Sequence, residues 1–183
     1  MHSTLRDATT PYTERDALNF YNVKKLVLLI LIVIVSNTGE AQVNSDSLWN
    51  IWKNKTQTPE DRILAIDQII YNNYLFVKPD SAFVLAEFMY ALALEKKFEK
   101  NIGGALMIMG GSFYIRSEYD SALKYDNLAW NHFIEIDEKR GQASASGNMA
   151  NILTAQGNYQ KGIEYYTKSL ELHESLGYKR GQM

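Results

Sequence analysis

Apolar residues follow helical spacing along most of this chain. From Ser45 onward they recur at intervals of three and four residues, and short polar joints interrupt them. Pro59 stands between Thr58 and the acidic pair Glu60 and Asp61, which is the pattern of a helix that opens with an N-cap, a proline and an acidic first turn. The pattern therefore predicts a helix that begins at residue 59.

Lys78 and Pro79 are expected to end this helix, because the residue before a proline disfavours helical backbone. A second helix is expected from Asp80 to about Phe98. Two helices joined by so short a link must pack antiparallel. Before them, residues 42–58 are expected to form a short helix and a linker, with tryptophans that cover the first helix pair.

The sequence repeats at an interval of forty residues. Each repeat is expected to hold two helices of about sixteen residues, and about three repeats are needed to bury the apolar faces. The predicted repeat region is 59–183, divided into 59–98, 99–138, 139–178 and the start of a further repeat at 179–183. The recurring marks are Asp80-Ser81-Ala82 with Asp120-Ser121-Ala122, Tyr119 and Tyr125 with Tyr159 and Tyr165, and Lys139-Arg140-Gly141-Gln142 with Lys179-Arg180-Gly181-Gln182.

The segment 146–172, SGNMANILTAQGNYQKGIEYYTKSLEL, resembles the tetratricopeptide repeat (TPR). The resemblance implies an all-α fold in which helix-turn-helix repeats form a solenoid, a right-handed superhelix. It places Tyr159 and Tyr166 as wedges between packed helices. The preceding unit departs from the pattern, because Asp126 stands where an aromatic residue is expected and Tyr125 lies one place earlier. Within the segment 146–172, the resemblance also assigns Met149, Ala150 and Leu153 to the first helix, Gly157 to the turn, and Gly162 and Ser169 to the second helix.

The forty-residue interval exceeds the family's usual length of about 34 residues. The resemblance associates this longer version with helical regions of bacterial exported or signalling proteins.

An export signal is predicted near the start. Residues 26–35, LVLLILIVIV, follow Lys24 and Lys25 and precede a segment in which Gly39 and Ala41 suit a cleavage site. The run is half the length of a membrane-spanning helix, which needs about 20 apolar residues. We expect residues 23–41 to be a signal peptide cleaved after Ala41, so that the protein is periplasmic or secreted. A buried strand or core helix is the alternative interpretation of the run.

Residues 1–22 are an unusual leader for such a signal, because Arg6 and Arg15 are outnumbered there by three acidic side chains. One explanation is that translation begins near Val23 and that the first 22 residues belong to a mis-called start.

Composition removes several classes of function. The 183 residues carry a net charge of -2, so no basic excess exists to neutralise a nucleic-acid backbone. The chain has no cysteine, which excludes disulfides, thiolate metal sites and a cysteine nucleophile. The sequence therefore predicts a protein that packing alone holds together and that does not bind nucleic acid.

Candidate catalytic chemistry is sparse. The sequence contains no phosphate-binding, zinc-protease or nucleophile-elbow motif, and glycines 103, 104, 110 and 111 are interpreted as sites of close helix packing. His132 and His173 lie toward the ends of predicted second helices, without a cluster of metal ligands around them. The two Asp-Ser pairs at 80 and 120 are interpreted as N-caps. We expect no catalytic residue, no metal site and no cofactor.

A partner-binding groove is predicted on the face lined by the first helix of each repeat. Tyrosine gives a rigid contact with a polar tip, and asparagine can bond an extended backbone as both donor and acceptor. The groove carries no lysine or arginine, which argues against partners held by a C-terminal carboxylate. Packing inside the solenoid is the alternative role for each tyrosine. The resemblance assigns nine groove residues: Asp67, Tyr71, Tyr74, Met107, Gly111, Tyr114, Asn148, Asn151 and Thr154.

Two functions remain in view. The first is an exported, non-catalytic module that binds a protein or peptide on its concave face. The second is the sensory region of a longer membrane signalling protein, a sensor histidine kinase or nucleotide cyclase, whose effector lies beyond residue 183. A third interpretation, a small helical enzyme, would need a convergent set of titratable groups in a pocket.

Overall fold

The computed structural model describes residues 44–177, and every regular element in this range is helical. By its internal contacts the chain divides at Asp46 and Ser47, and the architecture below is that of the second unit. The predicted signal peptide lies outside the described residues. The helices are α1 (44–53), α2 (Pro59–Ile69), α3 (Pro79–Lys96), α4 (Glu99–Ile115), α5 (Tyr119–Glu135), α6 (Lys139–Ala155) and α7 (Tyr159–Ser175).

The helices from α2 to α7 form a solenoid of helix-turn-helix pairs. Each packs against the next along the chain, and α4 also contacts α6, so first helices of successive pairs lie side by side. The predicted all-α repeat architecture is thus confirmed. Among the described residues, no helix is both long and apolar enough to cross a lipid bilayer.

The joints between helices recur every twenty residues. One or two residues after the end of each helix from α3 to α7, the backbone adopts a positive φ, at Lys97, Ser117, Asp137, Gly157 and Gly177. In the first four joints the next amide closes the helix end by bonding a carbonyl five residues back, as from Phe98 N to Ala93 O at 2.9 Å. This Schellman-type closure ends each helix sharply and lets the next one begin two residues after the left-handed residue. Two joints with their 17- or 18-residue helices account for the forty-residue interval.

Small residues allow the helices to approach closely. A Cβ added to Gly103 or Gly141 would lie 2.3 Å from the ring of Phe133, which is 3% exposed. That ring of α5 therefore packs directly on the backbones of α4 and α6. Ala82, Ala122 and Ala129 are fully buried at other helix contacts. Packing density at these contacts explains why glycine and alanine occur there.

The repeated Asp-Ser pairs do not cap helices, which corrects the prediction from the sequence. Each aspartate is the second residue of its helix, and the N-cap positions, Lys78 and Glu118, make no capping side-chain bond. Instead Asp80 pairs with Arg116, and Asp120 accepts a hydrogen bond from Gln156 at 2.9 Å. Both bonds span 36 residues, so the repeated aspartate ties a second helix to the end of the following first helix.

The end of the first helix of the first pair also differs from the prediction. Helix α2 stops at Ile69 and continues as a π-helical turn over Ile70–Tyr74, with Leu75 N bonded to Ile70 O at 2.9 Å. Pro79 opens α3 rather than ending α2, because proline fits the first helical turn, where its missing N–H is not needed. The capped start at Thr58 and Pro59 is as predicted.

The aromatic wedge lies elsewhere than predicted. Tyr159 and Tyr166 are 66% and 44% exposed, because they lie on α7, the last helix that the structure describes. Between the first and second pairs, Phe83, Phe113 and Tyr125 form the aromatic cluster, with Phe113 and Tyr125 stacked at 5.4 Å. Tyr125 thus fills the wedge in place of the residue that follows it.

Candidate functional site

A pocket of about 270 Å³ opens where the first helices of the three pairs meet. We call it the central pocket. Its walls are mostly apolar and aromatic, with a few convergent polar groups, which is the usual composition of a binding site. The residues that line it are Tyr71, Leu75 and Phe76 from the end of the first helix and the loop after it, Met107, Gly111, Tyr114 and Ile115 from α4, Asp126 from α5, and Asn148, Asn151 and Ile152 from α6.

The structure brings six of the nine predicted groove residues together in this pocket. Their role in binding stays a prediction, but their convergence from three helices follows from the repeat. The six are Tyr71, Met107, Gly111, Tyr114, Asn148 and Asn151.

The other three predicted residues do not line the pocket. Asp67 lies half-buried one helical turn before Tyr71. Tyr74 makes an edge-to-face contact with Trp49 of α1, with ring centroids 6.2 Å apart. Thr154 donates its hydroxyl to Ala150 O at 2.8 Å, and a Cβ added to the facing glycine of α7 would meet its Oγ1 at 2.5 Å. Tyr74 and Thr154 therefore serve helix packing.

The π-helical turn explains the displacement of Tyr74. A π turn holds about one residue more than an α turn, so it shifts which later residue returns to the same face. Leu75, rather than Tyr74, therefore lies in the pocket beside Tyr71. The TPR resemblance assigned Tyr74 to the groove, and the sequence gives no sign of the wider turn.

Asp126 is the one charged residue among the described pocket residues, and it is not among the nine predicted groove residues. Its side chain is 1% exposed, and its Oδ1 accepts a hydrogen bond from Asn148 Nδ2 at 3.0 Å. A Cβ added to Gly110 would lie 2.8 Å from Asp126 Oδ2, so glycine leaves the space that the carboxyl occupies. The sign of its role in the sequence was that Asp126, a charged residue, stands where the TPR pattern expects an aromatic residue.

The two adjacent glycine pairs of α4 divide between two roles. Gly103 and Gly110 are sites of close packing, as predicted. A Cβ on Gly104 would meet only Met89 Cε, at 3.9 Å, and one on Gly111 would meet Leu75 Cδ1 at 3.6 Å. Close packing is thus the wrong explanation for these two, and Gly111 instead leaves space in the central pocket.

The electrostatics of the pocket are acidic. Burial raises the pKa of Asp126 to about 7, against the opposing effect of the Asn148 hydrogen bond. Burial also raises the pKa of Asp67. The pKa of Tyr71 is raised by burial first and then by the negative charges of Asp67 and Asp126. No lysine or arginine is among the described residues that line the pocket.

His132 and Glu138, which lie outside the pocket, have structural partners. His132 Nε2 lies 2.8 Å from Glu99 O at the start of α4, and Glu138 pairs with Lys100. These contacts join α5 and its following turn to α4. Across residues 44–177, no three His, Cys, Asp or Glu side chains gather as a metal-binding group.

Comparison with known proteins shows the fold and not the family. No family model matches the sequence, and no curated protein matches it significantly. Among solved structures, the chain is similar to the TPR domain of Arabidopsis FLU, with 18% sequence identity and a TM-score of 0.57. The match covers 64% of this chain and 99% of that domain. The described helices therefore have a TPR-like fold.

Proposed function

We propose that this protein is a non-catalytic interaction module that binds an extended segment of a protein partner in the central pocket. The convergence of tyrosines and asparagines from three successive first helices on one concave pocket supports this proposal. A TPR-like solenoid provides the rigid frame that holds them. A site built on helices is positioned more accurately than one built on loops.

The side chains of the pocket suit an extended peptide. Tyr71 is 45% exposed and presents a large ring with a polar tip. Asn151 accepts a hydrogen bond from Tyr166 Oη, which orients its amide group. An oriented amide can bond the backbone of a peptide, while Leu75 and Met107 offer apolar contact for its side chains.

The chemistry of the pocket favours binding over catalysis. Its described lining holds one carboxyl group, two phenols and two amides, and no serine or threonine hydroxyl, thiol or imidazole that could pair as nucleophile and base. We therefore expect the pocket to bind the partner without breaking any of its covalent bonds.

Selection from a library of random displayed peptides tests the proposal. The Gly111→Met variant fills the pocket, and its added Cβ meets only Leu75 at an ordinary contact distance. Asn131→Met adds the same side chain at an exposed position of α5 and serves as the control. Peptides selected on the unaltered chain should lose at least about tenfold in affinity for Gly111→Met, a loss of about 1.4 kcal/mol, and keep their affinity for the control. Peptides that bind all three proteins equally would refute this function.

We also propose that the module is exported. The apolar run 26–35, the lysine pair before it and the small residues at 39 and 41 support this proposal. The N-terminus of the protein recovered from an expressing cell is the test. Gln42 is the expected first residue, and a mature start upstream of Lys24 would contradict the proposal.

A further inference from the structure

The floor of the central pocket carries a buried carboxyl group with one oxygen already engaged. Asp126 Oδ1 accepts from Asn148, and Oδ2 lies against the backbone of α4 at Gly110. A buried carboxylate is costly unless a counter-charge or further hydrogen bonds stabilise it. Only 1% of Asp126 is exposed, yet it is one of the residues that line the pocket, so a bound group would meet it at the pocket floor.

The surroundings of this carboxyl group would attract a cation. Asp67 lies on α2 and Tyr71 in the π-helical turn that follows it, and the negative charges of Asp67 and Asp126 both act on the Tyr71 hydroxyl. From α4 and α6 the pocket receives Tyr114 and the uncharged amides described above. Tyrosine rings attract cations through their negative faces. Charge and ring chemistry in the described lining thus favour a positively charged ligand.

We propose that the central pocket receives a lysine side chain of the partner peptide, with its ammonium group bound to Asp126. This inference rests on the function proposed above and names the partner's chemistry. Lysine fits better than arginine, because an ammonium group needs one carboxylate oxygen whereas an arginine fork bonds both, and here Asn148 already bonds Oδ1 while Oδ2 lies close to Gly110. The four-carbon stem would lie against Leu75 and Met107.

The proposal has a consequence for the pH dependence of binding. An ammonium group binds the ionised carboxylate, so affinity should rise as Asp126 loses its proton. With the pKa of Asp126 at about 7, the ionised fraction grows about tenfold between about pH 6 and about pH 8. The other titratable groups near it are Asp67 from α2, Tyr71 from the π-helical turn and, among the described lining of the pocket, Tyr114 from α4. Affinity should therefore increase up to about tenfold over this interval.

The test uses the tightest Gly111-dependent peptide from the library described above. Its lysines are replaced one at a time by norleucine, which keeps the stem and removes the charge, and by arginine. One norleucine replacement should weaken binding to the unaltered chain about tenfold or more and have little effect on binding to Asp126→Asn. Asp137→Asn, which removes a charge from an exposed turn, should behave like the unaltered chain.

The outcomes separate this inference from the proposed function. If Gly111-dependent peptides bind equally well with norleucine, or if Asp126→Asn leaves the lysine effect intact, the pocket binds peptides and the lysine inference is wrong. Equal binding of the arginine peptide would overturn the choice of lysine. If no peptide depends on Gly111, the proposed function itself fails, and this inference fails with it.

Discussion

Replacement of Asp126 by asparagine tests the electrostatic description of the pocket in the free protein. Asparagine has nearly the same shape and keeps an oxygen that can accept from Asn148. It removes the charge that burial disfavours. The change should therefore stabilise the fold where the native carboxyl group is ionised and have little effect where that group is protonated.

The magnitude follows from the pKa. The pKa of Asp126 is raised from 3.8 to about 7 in the folded protein, and each pKa unit corresponds to about 1.4 kcal/mol, so ionisation destabilises the fold by up to about 4 kcal/mol. Between about pH 4 and about pH 7 the folded state binds more protons than the unfolded state, and stability falls as pH rises. Burial also raises the pKa of Asp67, but this residue is present in both the unaltered chain and Asp126→Asn. Its effect on the pH dependence of stability is therefore the same in the two proteins.

Urea denaturation followed by circular dichroism is the assay. At about pH 8, Asp126→Asn should be more stable than the unaltered chain by up to about 4 kcal/mol, and at about pH 4 the two should agree within about 0.5 kcal/mol. Asp137→Asn, in an exposed turn, should change stability by less than about 0.5 kcal/mol at either pH. An asparagine variant that is less stable at high pH, or whose advantage does not depend on pH, would refute the reasoning.

Three further predictions concern packing and helix ends, and thermal or urea unfolding measures each of them. Gly111→Ala should be neutral or stabilising by about 0.5–1 kcal/mol, because alanine favours helix. Gly110→Ala should destabilise the fold by about 1–3 kcal/mol, because its Cβ would lie 2.8 Å from the buried carboxyl group of Asp126. The reverse order of stability would contradict the described packing. Lys97→Gly should stabilise the fold by up to about 1 kcal/mol, because φ at this position is 57° and glycine adopts this left-handed conformation without strain. Lys96→Gly, within α3, should destabilise the fold by about as much. Similar effects of the two substitutions would refute the left-handed joint. Gly162→Leu should cost about 1–3 kcal/mol because α6 lies 2.5 Å from the added Cβ, and an unaffected melting temperature would show that the two helices are farther apart.

The forty-residue interval could be predicted because the features that mark each helix depend on residues close together in the sequence. Proline at the first position of a helix, apolar residues at three- and four-residue spacing and the recurrence of Asp-Ser-Ala all depend on near neighbours in the chain. The structure confirms an all-helical solenoid and locates the joints that set its period. Three of these joints use Lys97, Ser117 and Asp137 in a left-handed conformation where glycine is the usual residue, so they could not be predicted from a glycine at the helix end.

The repeated Asp80 and Asp120 show where local chemistry was insufficient. Aspartate near a helix start is consistent with a cap, and only the packing of successive pairs reveals that Arg116 and Gln156 bind these side chains instead. The partners lie 36 residues away, so no local rule could identify them.

The sequence by itself determined the helical character, the repeat and the first helices from which the central pocket is built, because helix periodicity is local. Only the tertiary structure decided which side chains meet in the pocket. Because of the π-helical turn after Ile69, Leu75 lines the pocket where Tyr74 was predicted. Gly110, which has no side chain, leaves the space that the carboxyl group of Asp126 occupies. These choices depend on how neighbouring helices rotate and how closely their backbones approach, and both are set by packing across the whole solenoid.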